Sequence, residues 1–136
     1  MTNIPASSMA IVADSSPLIG MVRIARLGLL RELYQRVLIP EAVHREVLVE
    51  GKRLRKVGVQ EIERALRAGW IRVAPLAESH LNRVEEYRAS GGIGQGEAEA
   101  IALAVARKLP VIIDDRHARE LASVLGVEFV GTAAVL

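Results

Sequence analysis

The chain has 136 residues, with 18 Lys and Arg against 16 Asp and Glu, 51% hydrophobic but only 3% aromatic residues, and no cysteine. That length fits one domain, residues 1–136, with a single core that has to be built from aliphatic side chains. The missing cysteines exclude disulfides, thiolate metal sites and a cysteine nucleophile, and a formal net charge of +2 does not by itself announce a nucleic-acid binder.

The opening stretch MTNIPASSMAIVADSSPLIG has neither a basic n-region nor a long apolar h-region, so no signal peptide is expected. No run of about 18 apolar residues follows, so the expectation is a cytoplasmic protein with no membrane partner. MAIVAD reads as a buried strand, and SSPLIGMVRIARLGLLRELY as helix opened by Ser before Pro, with an internal Gly that can divide it into two short helices. RVLIP is a second strand cut off by Pro40. PEAVHREVLVE is a helix, GKRLRKVG a basic loop, VQEIERALRAG a helix stopped by Gly, WIRVAP an edge strand and AESHLNRVEEYRAS a further helix. GGIGQG is then a turn feeding EAEAIALAVARKLP, a helix apolar almost all round and therefore buried between neighbours. VIID is a strand, DRHARELASVLG a helix and VEFVG the last strand.

Short apolar strands alternating with helices predict an α/β fold, a mostly parallel sheet covered on both faces in three αβα layers. The functional crevice of such a sheet lies beyond the carboxyl ends of its strands. Asp14 follows AIVA, and Asp114 with Asp115 follow VII, so these acids emerge on one edge if their strands are parallel neighbours. On the helical wheel Glu46 falls within about 60° of Ala42, Val43 and Val49, along the apolar stripe, whereas Glu41 lies on the far side. Glu97 aligns with Ala100, Ile101 and Ala104, and Glu99 with Leu103 and Ala106, both near the first turn where the helix dipole favours a carboxylate.

Gathered carboxylates without basic partners repel, and burying each one is costly unless something compensates it. Hard oxygen donors without sulfur or a histidine cluster select Mg²⁺ or Mn²⁺ as that compensation. Such ions activate an attacking water and steady a leaving oxygen, which is the chemistry of phosphodiester hydrolysis. Each acid also has a plain structural reading: Asp14 and Asp115 as helix N-caps, Glu46 as an ion-paired helix residue, Glu97 and Glu99 as dipole-favoured first-turn residues.

The segments IVADSSPLIG, VLIPEAVHREV, GQGEAEAIALA and VIIDDRHARELASVLGVEFVGT, taken together and in this order, resemble a PIN domain over about residues 11–136. The likeness is to the small single-domain branch related to VapC-type toxin ribonucleases. It implies a five-stranded sheet in order 3-2-1-4-5 and a cluster of acids that binds Mg²⁺ or Mn²⁺ and cleaves single-stranded RNA. By position, the resemblance makes Asp14, Glu46, Glu97 and Asp115 the catalytic set, with Glu99 and Asp114 as competing metal ligands and Ser16 in the small hydroxyl position. It also implies a homodimer and, for a toxin, a small antitoxin partner. Two departures stand out: Ile112 and Ile113 supply no hydroxyl before the late aspartates, and the central acid is Glu rather than Asp.

Lys52, Arg53 and Arg55, in the one dense basic run, are candidate contacts for RNA phosphates; the plain alternative is a solvated loop. GGIGQG lacks the Lys-Ser/Thr of a phosphate loop, and His44, His80 and His117 have no ligand spacing. Two other classes compete with the nuclease. A receiver-like signalling domain would carry its acidic pair after the first strand, whereas here the pair comes late. A PIN-like scaffold that binds RNA or protein without cleaving would carry the same acids.

Overall fold

The computed structural model describes residues 10–54 and 57–136. Five strands form one all-parallel sheet in the order β3-β2-β1-β4-β5: β1 (Ala10–Ala13), β2 (Arg36–Ile39), β3 (Ile71–Val73), β4 (Val111–Ile112) and β5 (Phe129–Val130). Ile11, Val12, Ala13, Val37, Ile39, Val111 and Ile112 are all but fully buried, as strands covered on both faces must be.

Helices α1 (Ser15–Arg23), α2 (Gly28–Tyr34), α3 (Glu41–Leu54) and α4 (Val57–Ala68) supply one core with Leu18, Met21, Leu30, Val43, Val47 and Ile62 against the sheet. Helices α5 (Glu78–Gly91), α6 (Gln95–Arg107) and α7 (Arg116–Val124) supply the other, with Val84, Tyr87, Ile101, Leu103 and Ala118 against the opposite face. The expected three-layer arrangement and strand order are therefore both present. Ala98 through Ala104 are buried without interruption, as the all-round apolar pattern of α6 demands.

Three local expectations change. The long first helical stretch is two helices, but the break falls at Ile24–Leu27, where Ala25 takes a left-handed backbone (φ 57°); Gly20 lies inside α1 and Gly28 opens α2. The basic loop begins as helix, since Gly51–Leu54 complete α3. The reason is a face running Val43, Val47, Gly51: a Cβ on Gly51 would run into the Val59 side chain of α4, so this glycine lets two helices approach rather than stopping one. Arg53 is thus an exposed helical residue; Arg55 and the side chain of Lys52 lie outside what is described. Last, a short helix α8 (Thr132–Val135) follows β5 and buries Val135 in the first core.

Candidate metal centre

The strands are parallel, so the chain leaves β1, β2 and β4 on the same edge, and α1, α3 and α7 begin there. The amino end of α6 reaches that edge too, because Glu99 Oε1 accepts the Ala42 backbone N–H in the first turn of α3 (3.1 Å). Helix amino ends carry partial positive charge, which favours carboxylates at this place.

Asp14 is the residue just past β1. It sits at the N-cap position of α1 but makes no side-chain cap bond; the residue is 4% exposed and its Oδ1 is buried with no hydrogen-bond partner. Its pKa is raised from 3.8 to about 7. Burial is the largest cause, and the charges of Glu97, Glu46 and Asp114 push the same way against the opposing Ser15 backbone N–H. A buried carboxyl with an orphaned oxygen and three other acids within electrostatic reach has no structural work that accounts for it.

Glu46, one turn into α3, lies over the backbone of α6. A Cβ on Gly96 would collide with the Glu46 carboxylate, so the glycine is what allows the acid to seat there. Its Oε1 accepts the Ser15 hydroxyl at 3.2 Å. The wheel placed Glu46 along the apolar stripe; it is at the stripe's border instead, exposed beside Val49, while Ala42, Val43 and Val47 are buried.

Glu97 is the third residue of α6, where its Oε1 accepts the Gly94 backbone N–H (3.1 Å), half of a capping box that a glycine cannot reciprocate. Its pKa is raised, chiefly by burial and further by Asp115 and Glu46, while Gly94 N–H and His117 act in the opposite direction.

Glu99, two residues on, faces elsewhere. Only 6% exposed, it uses Oε1 on Ala42 N–H and Oε2 on the Gln95 amide (2.7 Å), and Gln95 in turn accepts from Arg88 (3.0 Å). It is a cap for α3 supplied from a different helix, and it fixes the register that brings Glu46 over Gly96.

The two late aspartates also divide. Asp115 is the N-cap of α7, with Oδ2 accepting from Ala118 N–H (2.9 Å). Asp114 accepts from the Thr132 N–H (2.8 Å) and hydroxyl (2.6 Å) and stands 3.7 Å from Arg119. Arg119 also donates to the Ile113 carbonyl (3.0 Å) and lies 5.5 Å over the Phe129 ring. This arrangement ties β4 to β5 and α8.

Among the described residues no three His, Cys, Asp or Glu side chains are already gathered as a cation cage. Asp14, Glu46, Glu97, Asp114 and Asp115 are coupled through their charges but stand apart, several of them held by backbone or hydroxyl donors. The donor set nonetheless fits a hard divalent ion: carboxylate oxygens, no sulfur, and one buried oxygen left without a partner.

The PIN-domain family model matches residues 10–136, nearly the whole chain. The chain belongs to the PIN-domain family. No curated protein matches it. Among solved structures, this PIN domain is similar to the crystal structure of PAE2754 from Pyrobaculum aerophilum, at 19% identity and a TM-score of 0.63 over 93% of this chain and 95% of that one. At that identity the likeness speaks for the fold.

Of the residues expected at the site, Asp14, Glu46, Glu97 and the Asp114–Asp115 pair do converge on one edge, whereas Glu99 is turned into the α3 contact. Ser16 is exposed on α1, and it is Ser15 that bonds Glu46. Ser15 and Gly96 are the participants that sequence reasoning missed; the small-residue spacing GQGE carried a signal for the second, as a close approach, but not for what approaches. Among the described residues no helix is long and apolar enough to cross a membrane.

Proposed function

We propose that this PIN domain is a Mg²⁺- or Mn²⁺-dependent endoribonuclease that cleaves single-stranded RNA. PIN domains are commonly nucleases and generally use divalent metals, and the single observation that carries the reading here is Asp14. It is a buried carboxyl with an unpartnered oxygen, and burial first, then the further carboxylates around it, raise its pKa to about 7. Without a cation this grouping opposes itself; with one, every member has a partner.

Asp14, Glu46 and Glu97 would hold the ion, joined by Asp115 through the oxygen that does not cap α7. A bound divalent ion supplies Lewis acidity and lowers the pKa of a water, so no histidine need act as base. The chain's own part is placement. Gly96 seats Glu46, Ser15 orients its carboxylate, Gly94 N–H orients Glu97, and Asp114 secures the segment from β4 to α8. At pH below about 7 Asp14 keeps its proton and offers a poorer ligand, so activity rises as pH passes through that value.

A second reading, binding of RNA without cleavage, draws on Asp114 and Asp115 being engaged with backbone donors and on the carboxylates standing apart. The two separate in one experiment. Purified protein is incubated with a single-stranded RNA of mixed sequence and Mn²⁺, with and without EDTA, beside Asp14→Asn. Cleavage that needs Mn²⁺ and is lost in Asp14→Asn supports the nuclease. RNA bound but intact in every lane supports the scaffold.

A further inference from the structure

We propose that the groove between α1 and α3 is the track for the RNA strand on its way to the acids, with Arg23 and Arg45 each holding a backbone phosphate. The proposal rests on the nuclease reading for its ligand and adds a binding site outside the metal centre.

The groove has a volume of roughly 780 Å³. One wall is a stripe of α1, with Ser15, Ile19 and Arg23 at successive four-residue steps; the other is α3, with Arg45, Glu46 and Val49. Ser15 and Glu46 are bonded to each other at its inner end, so the groove opens directly on the carboxylate cluster. From Ser15 to Arg23 the α1 wall is about 12 Å long, at ~1.5 Å per helical residue.

The two arginines mark the two ends of the groove: Arg45 stands beside Glu46 at the inner end on α3, and Arg23 stands at the outer end on α1, both exposed. Among the described residues neither guanidinium has an acidic partner within ion-pair distance; the carboxylates that are ion-paired, Glu85, Glu120 and Asp114, pair with other arginines. Unpaired guanidiniums spaced along a cleft match successive phosphates of a strand, whose oxygens they bind in a fork geometry. Ile19, half-buried on the α1 wall, and Val49, 64% exposed on the α3 wall, give apolar surface on which unstacked bases can lie. The structural alternative for Arg23, compensation of the α1 dipole at its last turn, does not explain a second arginine across the groove.

The test measures binding of a fluorescein-labelled oligouridine strand in EDTA, so that cleavage plays no part, for the unaltered protein, R23Q/R45Q and a control pair on exposed α4 positions, R64Q/R67Q. Loss of two phosphate contacts makes the slope of log affinity against log salt shallower by about 1.4, so the deficit of R23Q/R45Q shrinks by about sevenfold between 50 and 200 mM salt. The control pair keeps the unaltered slope. In Mn²⁺, KM for RNA rises in R23Q/R45Q while kcat stays within about twofold. Equal affinity and slope in R23Q/R45Q, as a groove built for a protein segment would give, overturns the proposal, and so does the same loss in the control pair. The two readings fail separately: arginine-dependent binding without any cleavage refutes the nuclease alone, and cleavage with an unchanged KM refutes the track alone.

Discussion

Replacing Asp14 by Asn is expected to make the metal-free protein more stable at alkaline pH, although it removes a residue from the centre of the site. The residue is 4% exposed, and its carboxyl has its pKa raised from 3.8 to about 7 by burial and by Glu97, Glu46 and Asp114. Between those two values the folded chain keeps a proton that the unfolded chain has released, so the stability of the unaltered protein falls as pH rises through this window and levels off above it. From 3.8 to about 7, at ~1.4 kcal/mol per pH unit, the folded chain gives up on the order of 4 kcal/mol by pH 8. An Asn carries no such slope. Urea denaturation in EDTA at pH 4, 6 and 8 therefore has the Asp14→Asn advantage growing with pH, by an amount equivalent to roughly 14 °C in Tm for a chain of this size. An advantage that does not change with pH, or an Asn variant that is less stable at pH 8, would refute the reasoning that an uncompensated buried charge sits at this position.

Other expectations follow from the same geometry. Saturating Mn²⁺ at pH 8 raises the Tm of the unaltered protein, by the equivalent of ~2.7 kcal/mol at a hundred times Kd, and leaves Asp14→Asn unmoved in a thermal melt. The Mn²⁺ Kd falls as pH rises through about 7, because binding displaces the Asp14 proton; a pH-independent Kd would speak against Asp14 as a ligand. Gly96→Ala pushes the Glu46 carboxylate off its seat, so Mn²⁺ affinity drops in calorimetry while the helical preference of Ala offsets up to about 1 kcal/mol of strain in denaturation. Glu99→Ala leaves the Ala42 N–H and the Gln95 amide without their acceptor in a buried place and costs ~1–3 kcal/mol in urea denaturation, a loss that Glu99→Gln largely avoids.

The parallel sheet was legible because AIVA, RVLI and VII are short apolar runs stopped by polar residues, each followed by a helical pattern; its strand order was implied only by the resemblance to PIN domains. The late strands proved shorter than their apolar runs, since pairing reaches only Val111–Ile112 and Phe129–Val130. Asp14 was legible as a strand-end acid, and Glu46 and Glu97 as acids on apolar helix faces, although Glu46 stands exposed at the border of its stripe. Their distinction from Glu99 was not: both glutamates lie near the first turn of α6, and only the register of α6 against α3 decides that Glu99 meets Ala42 N–H. The same holds for Asp114 and Asp115, whose separate partners, Thr132 and Ala118, differ only once β5 and α7 are docked. Gly51 read as a break for want of knowing that Val59 lies against it.

Whether the carboxylate cluster holds a divalent cation is decided most directly by calorimetric titration of Mn²⁺ into metal-free protein at pH 8, since it needs no knowledge of the RNA target. The unaltered protein should show saturable binding that Asp14→Asn loses and Glu97→Gln weakens. No saturable binding, or binding that both variants retain unchanged, would contradict a metal-dependent site centred on Asp14.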